Sequence, residues 1–305
     1  MTLSIIIPTF NRCDILRGLL TMLHSDEVSK TAMEYEIIVV DDQSKDNTWK
    51  IVSTEFPAVK LLRGPGHDAE QAKRGAVEAS VGDYIVCLDD DCLPRPGWLK
   101  GVQEDLNRGE KIVQCKLVFH DLGQKELQDE SRKYFRSGFR ADMMPLAILN
   151  GGYRPQYIML CHEFGCFFSR EVLKKVPLDD PNLIVDFGPS ASFSLRARKY
   201  GYRVFFEPAS VIDHLGATSG GLIDRVKKQA PKKNCNEYTT KVVHNFMVFA
   251  RMYRPLRIPF LIPYYIAGGL YLSIKQRKNC LKYFSKGLIG GLTKQFKPVI
   301  PYGNL

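Results

Sequence analysis

No two of the eight cysteines form a C-x-x-C pair, which excludes the usual ligand spacing of a structural zinc site. Several cysteines sit inside apolar runs, where the residue acts as a small hydrophobe. That usage fits a reducing compartment. The apolar opening Leu3–Ile7 is closed by Pro8 and is too short for a signal peptide. Ile258–Ile274 is largely apolar but has 17 residues, with Pro259 and Pro263 near its start. A bilayer span needs roughly 20. Internal repeats and low-complexity tracts are also missing, which sets aside solenoid and fibrous architectures.

Acid is scarce at one end of the chain. Arg225–Leu305 holds 16 Lys and Arg against one acid, Glu237, whereas Met1–Asp224 holds 27 basic and 32 acidic residues. The net charge of +10 therefore belongs to the last quarter of the chain. Such asymmetry bears on partners rather than on fold. The 305 residues, 45% hydrophobic, suffice for one packed α/β domain with an appendage.

Apolar strands alternate with helical patterns through the first half. Leu3–Pro8, Glu36–Val40, Val59–Leu62 and Tyr84–Leu88 read as strands. Between them, Asp14 precedes a helix with Leu16, Leu19, Leu20 and Leu23 on one face, and Asp46 caps a second helix. Ala69, Ala72, Ala76 and Ala79 mark a third, and Pro96 opens a fourth carrying Trp98, Leu99, Val102 and Leu106. This alternation predicts a mostly parallel sheet covered on both faces. From His120 to Gln156 no period is evident, and that stretch reads as an irregular acceptor-side region. Cys161–Ser169 and Tyr202–Phe206 are further strands, and Arg170–Val176 and Ser190–Tyr200 are helices. The expected organisation is a donor half, 1–120, an acceptor half, 121–224, and a basic helical region, 225–305.

In open α/β sheets, ligands lie beyond the carboxyl ends of the strands. Three polar clusters occupy that edge: Thr9–Arg12, Asp41–Asp42 and Asp89–Asp91. Alternate residues of an extended segment point the same way, so Asp89 and Asp91 can face one ligand while Asp90 faces the other side; Asp89 and Asp90 are also expected among the nucleotide contacts. Paired carboxylates suit a hard dication that also takes phosphate oxygens; the bland alternative is a solvated acidic turn. Asp41 suits hydrogen bonds from a base or ribose, with helix capping as the alternative for Asp42. Thr9, Asn11 and Arg12 lie where turn amides suit nucleotide contact, though Arg12 also reads as a surface residue. On the alanine-rich helix, Lys73 or Arg74 could reach a diphosphate; a solvated helix face is the alternative. His214, after Val211-Ile212-Asp213, could ligate a metal or a phosphate oxygen.

The run Ser4-Ile5-Ile6-Ile7-Pro8-Thr9-Phe10-Asn11-Arg12 resembles the opening of family 2 glycosyltransferases. Glu36–Asp42 followed by Ser44, Asp46 and Thr48, and Ala79–Asp91, are similar to the next two motifs of that family, in order and at matching spacing. The resemblance implies a GT-A fold, a Rossmann-like sheet flanked by helices. It also implies a nucleoside-diphosphate-sugar donor, Mg or Mn, and inversion at the anomeric carbon. By the same resemblance Pro8, Asp41 and Asp91 belong to the donor site, Asp91 as a metal ligand. Gly165–Arg170, Ser194–Tyr202 and Pro208–His214 resemble the acceptor-side strand, the following helix and turn, and the stretch ending in a site histidine. One departure stands out. The family has a Glu-Asp pair about seven residues before the arginine equivalent to Arg196, commonly the source of the general base, and here Pro189 and Ser190 occupy it. Asp186 is the replacement candidate, with Asp179 and Asp180 behind it.

The acceptor expected is a glycan or a lipid-linked hydroxyl. The alternative, motivated by the missing pair, is a nucleotide-sugar or glycan-binding module with impaired catalysis. Basic residues interleaved with apolar ones after Ile274 suit an interfacial helix on anionic lipid, so the expected location is peripheral, on the cytoplasmic face of a membrane. No nucleic-acid motif accompanies the charge, and nucleic acid is not an expected partner.

Overall fold

The computed structural model describes residues 1–25, 33–66, 69–119, 154–158, 161–162, 164–183, 189–216, 237–253, 255–303 and 305. The first four strands, β1 (Thr2–Thr9), β2 (Glu34–Asp41), β3 (Lys60–Arg63) and β4 (Tyr84–Cys87), are parallel neighbours in the order β3-β2-β1-β4. The helices between them are α1 (Cys13–Leu23), α2 (Thr48–Glu55) and α3 (Ala69–Ala79). Pairing is parallel because each strand returns through a helix. Thr9 stands opposite Asp41 in register, so both strands end at one edge.

The chain continues through β5 (Cys92–Pro94), α4 (Trp98–Asn107), β6 (Ile112–Phe119), β7 (Gln156–Ile158), β8 (Cys166–Ser169), α5 (Arg170–Lys175), α6 (Pro189–Lys199) and β9 (Val204–His214). The nine strands form one sheet, β3-β2-β1-β4-β8-β6-β9-β5, with β7 added to β9. Here the expected parallel character gives way to a mixed sheet. β8 runs antiparallel to β4 and β6, and β5 and β7 run antiparallel to β9. Hydrophobic period distinguishes strand from helix but carries no direction, which the connections decide.

Period-2 alternation distributes the core. Leu3, Ile5 and Ile7 of β1 join Leu16, Leu19 and Leu20 of α1 on one face, while Ile6 packs with Ala72, Ala76 and Phe168 on the other. Asp46 caps two helices at once. Its carboxylate accepts from the Thr48 amide at 3.0 Å and from the Cys13 amide at 3.1 Å. The expectation that Asp14 opens α1 thus shifts: Asp14 lies inside the first turn, and Asp46 takes up the amide at its start.

The basic region forms α7 (Glu237–Tyr253), a short 3₁₀ turn (Pro255–Arg257), α8 (Ile258–Gln276) and α9 (Leu281–Thr293) around a third core. α7 and α9 approach closely at two glycines. A Cβ on Gly287 would lie 2.6 Å from the Thr240 carbonyl oxygen, and one on Gly291 would lie 2.5 Å from Met247 Cβ. The tail then returns to the sheet. Asn182 and Lys297 exchange hydrogen bonds at 2.9 and 2.6 Å, and the Leu178 amide donates to the buried Tyr302 hydroxyl at 3.1 Å. Cys13, Cys87, Cys92, Cys115, Cys161 and Cys166 are free thiols, whereas Cys280 is disulfide-bonded, which departs from the reading of the cysteines as reduced.

Candidate active site

β4 ends at Cys87, and the Leu88 amide still donates to the Ile6 carbonyl at 2.9 Å. Asp89, Asp90 and Asp91 therefore leave the sheet beside the end of β1. The following β5 pairs Cys92 with His214 at the end of β9. The Leu215 amide donates to the Asp91 carbonyl at 2.9 Å, and Arg95 grips Asp213 through two bonds of 2.7 and 2.8 Å. Backbone pairing alone thus carries the histidine, 125 positions away in sequence from Asp89, to the acidic triplet.

The triplet is divided by a turn rather than by the expected strand alternation, the Cys92 amide donating to the Asp89 carbonyl at 3.0 Å. Asp89 and Asp91 turn toward His214, whose Nε2 lies 3.4 Å from Asp91 Oδ1 and 3.8 Å from Asp89 Oδ2. One ligand atom from each residue lies within 4.8 Å of the others. Two carboxylates and an imidazole at that spacing fit a divalent cation. The His214 ring stacks on Phe164 at 5.1 Å, which fixes its plane.

Asp90 turns inward. It accepts from Arg12 Nη1 at 2.6 Å and from Thr9 Oγ1 at 2.7 Å. The same guanidinium nitrogen reaches Asp91 Oδ2 at 3.3 Å. All three side chains of this clamp are buried. Burial pushes the Asp90 carboxyl up to about 6, against the pull of Arg12 and Thr9. For Arg12 burial acts downward, and the Asp90, Asp91 and Asp89 charges outweigh it, holding the guanidinium above its ordinary value. Three carboxylates at one sheet edge repel, and Arg12 supplies the compensating charge from behind.

Several expected donor contacts therefore take other places. Arg12 and Thr9 hold the triplet rather than reaching outward, and Asp90 is their partner rather than a ligand's. Arg74 is engaged by both oxygens of Asp179 at 3.2 Å, by the Ile300 and Pro301 carbonyls at 3.1 and 2.7 Å, and by the Tyr302 ring. It is a staple for the tail, not an arm toward a diphosphate. Lys73 lies buried beside it on α3. Asp179 and Asp180 are committed too, the latter to Asn182 and the Ser192 hydroxyl. Asp186 falls outside the described residues.

Asn11 joins the two neighbouring strand-end loops. Its side chain accepts from the Lys45 amide at 2.7 Å, and its own amide donates to Ser44 Oγ at 2.9 Å. Its φ of 51° is left-handed, a conformation asparagine tolerates well. Asp41 is fully buried. One oxygen accepts from the Ser44 amide at 2.8 Å, and the other, Oδ2, has no hydrogen-bond partner among the described residues. Asp42 accepts from the Gly66 amide at 2.7 Å, so its role is local. Pro8 stands half-buried one residue before the edge.

Two contributors escaped the sequence reading. Gln114, fully buried in β6, donates to the Gly165 carbonyl at 3.1 Å and accepts from the His162 amide at 2.7 Å. It fixes the segment that places Phe164 against His214. The signal was a glutamine inside the apolar run Ile112-Val113-Gln114-Cys115. Gly165 itself has φ 63°, and a Cβ there would lie 2.8 Å from Leu117 Cδ2. The other omission, Tyr302, had no signal in a short aperiodic tail.

With this geometry in hand, the comparisons with known proteins become informative. The sequence profile described as Glycosyl transferase family 2 matches residues 4–176. A chondroitin synthase of Escherichia coli is 36% identical over 116 residues, covering 36% of this chain and 16% of that protein. In the first three curated relatives the match spans no more than 37% of the relative's own length. Among solved structures, S. aureus TarS 1-349 in complex with UDP-GlcNAc aligns with a TM-score of 0.56 at 13% identity, covering 94% of this chain and 82% of that one. The mannosyltransferase PcManGT from Pyrobaculum calidifontis, in complex with GDP-Man and Mn2+, aligns at 0.53 and 16% identity, covering 95% and 87%. These structural likenesses bear on the fold.

Proposed function

The chain belongs to glycosyl transferase family 2, and on that premise we propose that it transfers a sugar from a nucleoside-diphosphate-sugar to a hydroxyl of a glycan or lipid-linked acceptor, with inversion at the anomeric carbon. The observation carrying this reading is the convergence of Asp89, Asp91 and His214 at the carboxyl edge of the sheet, backed by the buried Arg12–Asp90 clamp. A bound Mg or Mn would supply charge neutralisation to the diphosphate as it departs. The protein's own groups do the positioning. Asp41 Oδ2 is a buried acceptor that receives no hydrogen bond among the described residues and lies 3.7 Å from Arg63 Nη1; it is suited to a base N–H or a ribose hydroxyl. Asn11 and Ser44 hold the two loops on either side of it. The acceptor hydroxyl attacks the anomeric carbon as the bond to the diphosphate oxygen breaks, and its proton goes to a carboxylate base, for which Asp186 is the proposed residue.

The membrane surface is the proposed partner of the basic C-terminal region, with the enzyme peripheral on the cytoplasmic face. Among the described residues no helix is long and apolar enough to cross a membrane.

Donor turnover tests the reading. Asp91→Ala is expected to lower transfer or donor hydrolysis by at least about 100-fold, the scale of losing a main electrostatic group at a reacting centre. A second reading, a donor-binding module with impaired catalysis, is favoured by Pro189 and Ser190 where the family has an acidic pair. It predicts tight donor binding with no turnover on any acceptor.

A further inference from the structure

α8 is apolar on two faces but packed on one. Its inner face is held by protein. Tyr265 lies 6.1 Å from the Phe246 ring and 6.3 Å from the Phe284 ring, and a Cβ on Gly269 would touch Leu281. The outer face carries Phe260, Tyr264, Leu270, Tyr271 and Ile274 at helical spacing, each between 48% and 80% exposed. No charged residue occurs from Ile258 to Ile274. A helix that is hydrophobic all round is ordinarily covered on every side, and a contiguous exposed apolar strip of this length marks an interaction surface.

The charges at its two ends say what covers it. Arg257 precedes the strip, and Lys275, Arg277, Lys278 and Lys282 follow it, all exposed. From Tyr238 to Leu305 the sequence has no acidic residue. In a two-fold contact between copies, the ends of one strip would meet the same cations on its mate, with no carboxylate in this region to answer them. An anionic bilayer supplies both missing counterparts, an apolar interior edge and negative headgroups. The nineteen residues of α8 extend about 28 Å, yet one long face is fastened to α7 and α9, so the helix lies along a surface.

We propose that the outer face of α8 is an in-plane membrane-docking surface, with Phe260, Tyr264, Tyr271 and Ile274 entering the headgroup–acyl boundary and the cations around Lys275–Lys282 contacting anionic headgroups. This deepens the peripheral location proposed above by assigning the face, the orientation and the lipid charge.

Flotation of the full chain with vesicles of phosphatidylcholine, alone or mixed with phosphatidylglycerol, tests it. The wild-type protein is expected to float with the anionic vesicles and at least tenfold less with the neutral ones, and added salt should weaken the binding. The double substitution Phe260→Glu and Ile274→Glu should reduce flotation at least tenfold at unchanged lipid charge. Lys275→Glu with Lys278→Glu, which leaves the apolar strip intact, should abolish the preference for anionic lipid. Donor binding measured on the same samples reports folding: if vesicle binding fails while donor binding persists, the docking surface is wrong and the transfer reading stands. Wild-type protein that ignores anionic vesicles would overturn the proposal. So would glutamate variants that bind unchanged, or a lipid-free dimer that the glutamate variants dissociate.

Discussion

Arg12 stands three residues beyond the end of buried strand β1, and its environment decides its role. A guanidinium that shares its charge between Asp90 and Asp91 while buried is expensive to remove, because the carboxylates remain buried without it. Arg12→Met is expected to destabilise the fold by about 3 kcal/mol and to weaken donor binding, since Asp91 loses the group that orients it. Urea denaturation beside donor titration checks both. A second residue-scale prediction concerns Asp105, 1% exposed on α4. Burial first, and the neighbouring Glu207 second, push its carboxyl up to about 7, against the pull of Arg108. The ordinary carboxyl value is 3.8, so between there and neutrality the folded chain holds a proton that the unfolded chain has released. Stability from this site is therefore complete at the acid end of that window and is lost as pH rises through about 7. Asp105→Asn should flatten the dependence of Tm on pH over that window; an unchanged slope would refute the assignment. At this scale the sequence disclosed Asp89 and Asp91 as carboxylates at a strand end, but the turn from Asp89 to Cys92, not strand alternation, sets their direction. It named Arg12, Thr9 and Arg74 but not what they hold, because a side chain's partner depends on which loops meet, and that is a tertiary fact.

At the level of elements, the tail after α9 acts as a strap. Tyr302 sits in the core between α3 and the segment from Leu178 to Asn182, with Arg74 over its ring. Burial raises its hydroxyl pKa far above the ordinary value, so it stays protonated while the Leu178 amide donates to it. Tyr302→Ala is expected to cost about 3 kcal/mol and to speed hydrogen exchange at the Leu178 and Asn182 amides, which a mass-spectrometric exchange experiment reads directly. Gly165→Ala should also destabilise, through the positive φ and the clash with Leu117. Its readout is a lowered Tm together with weaker donor binding, as Phe164 loses its place against His214. The strands through β4 and the helices through α4 were legible because apolar period is a local signal, whereas β5 and β6 were not read as strands. The antiparallel insertion of β8 was not, since strand direction follows from the connection. The strap was not legible either, as a short aperiodic segment gains its structure only from the surface it covers.

Across the whole molecule, charge and chemistry are separated. The acidic edge of the sheet and the basic helices α7 to α9 are built by different parts of the sequence, around different cores. The charge asymmetry was plain in the composition, but the apolar outer strip of α8 emerged only once its inner face was seen to be occupied. The central claim remains the grouping of Asp89, Asp91 and His214 as a cation-dependent donor site. Calorimetric titration of a panel of nucleoside-diphosphate-sugars, with and without manganese and in parallel on Asp91→Asn, tests it most directly. The account predicts that one donor binds only with manganese and that the substitution weakens this binding at least tenfold. Binding of equal strength without the metal, or unaltered in Asp91→Asn, would contradict it.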